Sequence, residues 1–280
     1  MRMDRKIAAL RSVKEGKTLI SPMHRCIFLY AAVFAGSSHA AILIQDNFND
    51  ATAPHINGRA PSVNLVNSSS WVASEAVDAA VLDGSGQLVM GTNFNQTAGI
   101  SLGANYFTTN PGIYELSYTV THPEAYGNSW VGFGFTGGLN TLQNLTHESN
   151  AAGPWLFYRA SGQVNVRPNG ATGTVTLGTD YTGGAPVTFR FVLNTLATQW
   201  SYDLYVNDVI QDLNGGSAGT SRTYASGANP ALSHIVIGTG SSGGTGISTG
   251  DNFTFSVVPE PSHALMLVAS AGLFALRRRR

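Results

Sequence analysis

Residue patterns that commonly carry catalysis occur in this 280-residue chain only as incomplete matches. His147-Glu148 begins the zinc motif H-E-x-x-H, but residue 151 is alanine, so the second histidine ligand is missing. Glycoside hydrolysis needs two carboxylates about 5 to 9 Å apart. Glu115, however, has Ser117 at the next position on the same strand face. The sequence therefore predicts a protein that is not an enzyme.

Two glycine motifs also match known patterns without the surrounding structure that those patterns require. Gly132 to Gly137 reads G-x-G-x-x-G, which holds a dinucleotide only between a strand and a helix N-terminus. Here it falls inside a strand pattern. Ser242 lies in a G-x-S-x-G string, yet no alternation of strands and helices surrounds it. Both motifs indicate glycine-rich strands and loops.

Oxygen-bearing side chains near the two ends of the central region suggest a calcium site. Hard cations prefer carboxylate, amide and carbonyl oxygens, and the region from 41 to 258 is acidic and rich in asparagine. The candidate ligands are Asp46, Asn47, Asp50 and Asp251. The alternative is that these acids only keep the surface soluble.

Period-two alternation of apolar and polar residues predicts a series of short strands separated by turns. The strand candidates are residues 113–120, 130–135, 155–158, 163–167, 187–193, 200–206 and 235–237. Glycine occupies 29 of the 218 positions from 41 to 258, roughly twice its usual share of about 7%. One stretch, Glu75–Leu82, is interpreted as a short helix. The pattern predicts a single all-β domain, an antiparallel sandwich or barrel.

Residues 186–208, PVTFRFVLNTLATQWSYDLYVND, resemble the paired strands of concanavalin A-like, laminin-G-type jelly rolls. The resemblance implies a β-sandwich fold. Strand parity places Trp200 and Tyr202 on the interior face, and most aromatic residues are expected in the core. Tyr126, beside Gly127-Asn128 in a predicted loop, is the candidate for an exposed ring that stacks on a ligand.

The formal charge of +0 hides a segregation of charge along the chain. Thirteen of the 16 acidic residues but only five of the 16 basic ones lie between 41 and 258, where the net charge is −8 and lysine is absent. Phosphate binding needs clustered lysine and arginine. We therefore expect no nucleic-acid partner.

The first 40 residues have the layout of a secretory signal peptide. His24-Arg25 precede a nine-residue apolar run, and Ser38-His39-Ala40 supplies small residues before a cleavage between Ala40 and Ala41 by signal peptidase. Nine residues are fewer than the roughly 20 that span a bilayer. Met23 is an alternative start, which leaves an 18-residue signal, and a buried N-terminal helix is the alternative interpretation.

The last 22 residues, 259–280, contain three ordered features: Pro259-Glu260-Pro261, an uncharged segment from 264 to 276, and Arg277, Arg278, Arg279 and Arg280. A helix of 13 residues is about 20 Å long, short of the roughly 30 Å hydrocarbon core. The terminal arginines favour the cytoplasmic side. These features indicate a transient stop in the membrane, and an ordinary C-terminal membrane anchor is the alternative.

This tail resembles the PEP-CTERM sorting signal of exported proteins in Gram-negative bacteria with exopolysaccharide systems. The resemblance implies that Pro259, Glu260 and Pro261 are recognised by a membrane enzyme, exosortase, with the four arginines as the stop. It also implies contact with the membrane through the C-terminal helix before processing.

The expected function is therefore that of an exported protein of the cell surface, outer envelope or extracellular matrix. We expect it to bind polysaccharide or another envelope component without catalysis. The alternatives are a secreted glycan-active hydrolase or lyase with an unrecognised site, and a structural matrix protein without a defined ligand.

Overall fold

The computed structural model describes residues 40–50, 55–73, 81–90, 96–122, 129–138, 153–167, 175–177, 181, 183–225, 227–240 and 248–259. These residues form two antiparallel sheets and one short helix, α1 (Tyr106–Thr109). The predicted all-β antiparallel sandwich is confirmed. The predicted signal helix and the C-terminal apolar helix lie outside the described residues.

The larger sheet, sheet A, contains ten described strands. They are β1 (Ala41–Asp46), β2 (Val63–Asn64), β4 (Val81–Leu82), β5 (Leu88–Met90), β7 (Ile113–Thr121), β12 (Pro186–Asn194), β13 (Ser201–Val206), β14 (Val209–Ile210), β15 (Arg222–Thr223) and β17 (Ser248–Val258). The main path of the sheet runs β14-β13-β12-β7-β17-β1-β2; β15 pairs with β13, and β5 pairs with both β17 and β4.

The second sheet, sheet B, contains seven described strands in the order β11-β10-β9-β8-β16-β6-β3. The strands are β3 (Val72–Ala73), β6 (Gln96–Ser101), β8 (Trp130–Thr136), β9 (Trp155–Arg159), β10 (Val164–Arg167), β11 (Val175–Leu177) and β16 (His234–Gly240).

The two sheets pack face to face across an aromatic core, because each strand directs alternate side chains to opposite faces. In β7, Tyr114, Leu116, Tyr118 and Val120 are buried while the residues between them are half-buried. Phe133 of sheet B stacks on Phe191 of sheet A at 5.8 Å between ring centroids. The core is therefore built from the period-two pattern that the sequence showed.

Strand parity was predicted correctly at the start of β13. Trp200 is 7% exposed and Tyr202 is 1% exposed, and both belong to the core between the sheets. Burial raises the pKa of the Tyr202 hydroxyl above its ordinary value of 10.0. These two aromatic residues are structural.

The first and last strands of the domain are neighbours in sheet A. β1 pairs antiparallel with β17, with Ala41 opposite Val257 and Asp46 opposite Phe253. Two similar segments, Asp46-Asn47-Phe48 at the end of β1 and Asp251-Asn252-Phe253 within β17, thus lie side by side. The N-terminal and C-terminal ends of the sandwich consequently meet at one end of sheet A.

The helix predicted for Glu75–Leu82 is not borne out where the structure describes it. Val81 and Leu82 form β4, which pairs with β5; residues 75–80 lie outside the described residues. Pairing to an existing sheet outweighs a weak local helix preference at this position. Among the described residues, none belongs to a helix long and apolar enough to cross a membrane.

Candidate functional site

The side of sheet B turned away from sheet A, its outer face, is rich in aromatic and glycine residues. In β8, Val131, Phe133 and Phe135 belong to the core between the sheets. Trp130, Gly132 and Gly134, the alternate residues, therefore face outward. This strand has one bulky apolar face and one face on which glycine predominates.

Strand β9 adds two more rings to the same outer face. Leu156 and Tyr158 belong to the core, whereas Trp155 and Phe157 form a separate hydrophobic cluster with Val236 and Trp130. Ring centroids are 5.0 Å apart for Trp130 and Phe157 and 4.3 Å apart for Trp155 and Phe157, both edge to face. We call Trp130, Phe157 and Trp155 the aromatic strip.

Glycines flank the aromatic strip in the neighbouring strand. Phe157 pairs with Gly132, and Trp155 pairs with Gly134. A Cβ atom on Gly134 would overlap the carbonyl oxygen of Pro154 and would lie 2.5 Å from the Cα of Trp155. The close approach of these two backbones therefore requires glycine.

On its other side, the aromatic strip is bordered by a row of polar side chains, which we call the polar ladder. Asn165 pairs with Phe157 on one side and with Thr176 on the other. The Thr176 hydroxyl donates to Asn165 Oδ1 at 3.0 Å, and Asn165 Nδ2 donates to Gln163 Oε1 at 3.3 Å. The ladder, made of Gln163, Asn165 and Thr176, presents amide and hydroxyl groups beside the rings.

Two arginines complete this surface. The Arg167 guanidinium carbon lies 5.5 Å from the Trp155 ring centroid and 5.7 Å from that of Phe157, within cation–π distance of both rings. Arg159 ends β9, pairs with Trp130 and is exposed. The buried indole N–H of Trp155 has no hydrogen-bond acceptor in the described part of the chain.

Exposure increases from the middle of the outer face toward the Trp130 end. Trp155 is 0% exposed and Phe157 is 5% exposed, whereas Trp130 and Gln163 are half-buried and Arg159 and Thr176 are exposed. The inner rings therefore support Trp130, and the reachable groups are Trp130 with its polar neighbours.

Two of the four candidate calcium ligands, Asp46 and Asp50, lie near Arg59. Asp46 is fully buried and accepts bonds from Arg59, from the Trp71 indole N–H at 2.7 Å and from the Phe48 amide at 3.0 Å. Asp50 lies 3.9 Å from Arg59. Arg59 thus supplies the positive charge that the sequence interpretation assigned to calcium.

The other two candidates have separate contacts. The Asn47 side-chain oxygen accepts from the Ser62 hydroxyl at 2.9 Å, and Asp251 accepts from the amide of Asn252 at 2.6 Å. No group of three or more histidine, cysteine, aspartate or glutamate side chains within the described ranges could hold a metal ion.

His122 is the buried titratable group closest to a catalytic arrangement. Its Nε2 lies 3.2 Å from the Ser129 hydroxyl and its Nδ1 lies 3.1 Å from the Ser248 hydroxyl. Burial lowers the pKa of His122 below its ordinary value of 6.5, which favours the neutral ring. A neutral ring donates to one serine and accepts from the other, so both nitrogens serve to connect three chain segments.

The structure describes only some of the remaining predicted site residues. Ala40 and Ala41 are exposed, Ala41 opens β1, and Pro259 follows β17 and is half-buried. The others lie outside the described residues: Tyr126, Glu260, Pro261, Arg277, Arg278, Arg279 and Arg280. The structure therefore leaves the signal-cleavage, sorting and Tyr126 assignments as predictions.

Comparison with known proteins gives the fold class. An endo-1,3-beta-glucanase from Streptomyces sioyaensis is similar with a TM-score of 0.50 and 11% identity, over 80% of this chain and 98% of that chain. This likeness and the two facing sheets define a concanavalin A-like β-sandwich of the jelly-roll class.

Two carbohydrate-binding structures are similar at lower scores. The Emp47p carbohydrate recognition domain has a TM-score of 0.47 and 13% identity over 80% of this chain and 99% of that chain. Lectin II from Ulex europaeus has a TM-score of 0.43 and 11% identity over 66% of this chain and 92% of that chain. No protein-family model and no curated protein matches the chain.

Sequence reasoning missed the aromatic strip, although a usable signal was present. The string WVGFGF places Trp130 and two glycines on one face and only large residues on the other, and WLFY is apolar on both faces. A strand that is apolar on both faces was read as core, because aromatic residues dominate sandwich interiors. The neighbouring glycines were the sign that the second face carries a different kind of surface.

Proposed function

We propose that the sandwich domain binds polysaccharide on the outer face of sheet B, without catalysis. The observation that carries this proposal is the aromatic strip lying beside the polar ladder. A sugar ring has an apolar face of C–H groups and an edge of hydroxyl groups. An aromatic ring packs against the former, and amide, hydroxyl and guanidinium groups bond the latter, as in most small-ligand sites.

Within this proposal, Trp130 is the stacking residue. It is the half-buried ring of the strip, and Phe157 holds it edge to face at 5.0 Å. Arg159 lies opposite Trp130 in the neighbouring strand, and Gln163 lies beside Arg159, whose amide donates to the Gln163 carbonyl. Both side chains supply donors for sugar hydroxyls. A similar fold occurs in an endo-1,3-beta-glucanase, which agrees with a glycan ligand.

A binding assay with a matched aromatic control tests the proposal. The purified chain would be titrated against neutral and acidic polysaccharides by calorimetry and by affinity electrophoresis. Trp130→Ala should weaken binding about tenfold, or about 1.4 kcal/mol. Tyr205→Ala, which removes a half-buried aromatic ring from the outer face of sheet A, should leave it unchanged.

Two outcomes of these experiments would count against the proposal. Binding that is lost equally in Trp130→Ala and Tyr205→Ala, or no binding to any polymer, would remove the outer face of sheet B as a glycan site. Release of reducing ends in the same incubations would instead support the alternative, a glycan-active enzyme. Loss of that turnover in Glu115→Gln or Glu148→Gln would then identify which carboxylate is catalytic.

We further propose that the protein is exported and sorted through its C-terminal tail. The sequence features at both ends carry this proposal. The pairing of β1 with β17 supports it, since Ala41, the residue after the predicted cleavage point, lies opposite Val257 near the end of the last strand. Such a protein would reside at the cell surface, in the outer envelope or in the extracellular matrix.

Intact mass spectrometry of protein recovered from the producing cells tests the sorting proposal. We expect an N-terminus at Ala41 and loss of the residues that follow the Pro259-Glu260-Pro261 motif. Recovery of mature protein that still carries Arg277–Arg280 would refute processing of the tail. Substitution of Glu260 by alanine should cause the unprocessed form to accumulate.

A further inference from the structure

Charged side chains are divided unequally between the two sheets. The seven described strands of sheet B contain no aspartate or glutamate, and two arginines, Arg159 and Arg167. The described strands of sheet A contain Asp46, Glu115, Asp203 and Asp251. The described strands of sheet B thus carry a net positive charge, in a region from 41 to 258 that is acidic as a whole.

Both arginines of sheet B project to its outer face, next to the aromatic strip. Arg167 stacks on Trp155 and Phe157, and Arg159 lies opposite Trp130 in the adjacent strand. The other three arginines between 41 and 258 are elsewhere: Arg59 is bonded to Asp46, Arg190 to Glu115, and Arg222 belongs to sheet A. Two of the five arginines in this acidic region therefore border the same group of rings.

A guanidinium group beside a sugar-stacking ring is suited to an anionic sugar. Arginine presents a planar fork of donors that pairs with both oxygens of a carboxylate, and such charge-assisted bonds are stronger than neutral ones. Trp130 and the exposed Arg159 are direct cross-strand neighbours. One sugar residue that stacks on Trp130 would therefore bring a carboxylate on its ring within reach of Arg159.

We infer that the ligand of this face is an acidic polysaccharide, with sugar carboxylates bound by Arg159 and supported by Arg167. The inference rests on the proposed function of the outer face of sheet B and specifies its ligand class. The overall charge of the domain does not attract an acidic polysaccharide, because the region from 41 to 258 has a net charge of −8 and repels polyanions at long range. Binding of a polyanion therefore requires a local cationic site.

Matched polymers that differ only in charge provide the test. The full chain would be titrated against polygalacturonate, alginate and hyaluronate, and against the carboxyl-reduced, neutral form of each. We expect at least one acidic polymer to bind about tenfold or more tightly than its reduced form. Raising the salt concentration should reduce that difference, because salt screens exposed charges.

Variants then assign the effect to Arg159. Arg159→Gln should lower the affinity for the acidic polymer about tenfold and the affinity for the neutral form much less, so that the preference for the acidic form is lost; Arg159→Lys should recover part of that preference. Arg222→Gln, which removes an arginine from sheet A, should have no effect. Thermal melting of each variant checks that the domain remains folded.

The possible results separate this inference from the proposed function. Equal binding of acidic and reduced polymers, sensitive to Trp130→Ala, would overturn the acidic specificity and retain glycan binding. Acidic binding that survives Arg159→Gln would overturn the role of Arg159. Absence of binding to every polymer, acidic or neutral, would overturn both.

Discussion

Substitution of Asp46 by alanine should destabilise the protein more than substitution of any exposed carboxylate. Asp46 is fully buried and bonded to Arg59, whose own side chain is 6% exposed. Removing the carboxylate leaves the guanidinium buried beside Asp50, whose nearest oxygen is 3.9 Å from Arg59 Nε and which is 41% exposed. A buried charge that loses its partner in this way costs about 3 to 5 kcal/mol.

The loss of stability in Asp46→Ala is increased because two further hydrogen-bond donors lose their acceptor. The Trp71 indole N–H and the Phe48 amide both bond to Asp46, and Phe48 has a left-handed backbone with φ 51 that this bond helps to hold. Because these terms share one site, they are not additive. We expect a total of about 4 kcal/mol, against a typical domain stability of about 5 to 15 kcal/mol.

Urea unfolding followed by tryptophan fluorescence measures this loss. With an m-value of about 2.5 kcal/mol/M, the midpoint should fall by about 1.6 M in Asp46→Ala. Asp50→Ala is the matched control and should cost less than about 1 kcal/mol, because its contact with Arg59 is long and partly exposed. Equal midpoints for the two variants would show that the buried pair does not stabilise the fold.

A double variant tests the cause of the loss. Asp46→Asn combined with Arg59→Met removes both charges, and a charge-free pair avoids the uncompensated guanidinium. The double variant should therefore be less destabilised than the sum of the two single changes, by about 1 kcal/mol or more. Strict additivity would mean that lost packing, and not the buried charge, accounts for the effect.

Two further predictions concern the backbone beside the aromatic strip and the buried histidine. Gly134→Ala should cost about 3 kcal/mol, because its Cβ would overlap the Pro154 carbonyl. Gly103→Ala, with φ 95 and open space around it, should cost about 1 kcal/mol, and similar urea midpoints for both would refute the close-approach argument. Burial lowers the pKa of His122, so the unfolded chain takes up a proton in a pH range where the folded chain does not. The contribution of His122 to the free energy of unfolding should be complete above about pH 6.5 and should decrease as the pH drops from there toward the lowered pKa. His122→Gln should reduce that decline between pH 8 and 5 without abolishing it, since the pKa of His234 is also lowered by burial; an unchanged decline would exclude His122 as its source.

The strands were predictable because burial on one side imposes a period of two. Residues 113–120 and 187–193 alternate in sequence, and they became β7 and β12 at the centre of sheet A. Their parity also placed Trp200 and Tyr202 in the core. Short strands such as β4 were not predictable, because two residues contain too little periodicity to outweigh the apparent helix pattern of Glu75–Leu82.

The candidate site was less predictable, because it depends on which residues become neighbours across strands. Nothing in the local sequence of Asp46 indicates Arg59, 13 residues away, or Trp71, 25 residues away, as its partners. The oxygen-rich segment was therefore interpreted as a calcium site, without the contact that Arg59 makes with Asp46. The aromatic strip likewise requires the registers that place Trp130 next to Arg159 and Phe157 next to Asn165.

The outer face of sheet B departs from what an antiparallel sandwich needs for folding alone. Such sheets usually bury one face and expose a polar one to water, as sheet A does with Glu115, Ser117 and Thr119 on its outer side. Sheet B instead has apolar side chains on both faces of β8 and β9, with Trp130, Trp155 and Phe157 on the outer face. Of these rings, Trp155 and Phe157 are buried, whereas Trp130 is half-buried beside the exposed Arg159. The proposed ligand contact therefore depends on Trp130 and its polar neighbours. The proposed polysaccharide would offer an apolar sugar face to Trp130 and polar groups to Arg159, and the described strands of sheet B carry no aspartate or glutamate to compete for that arginine.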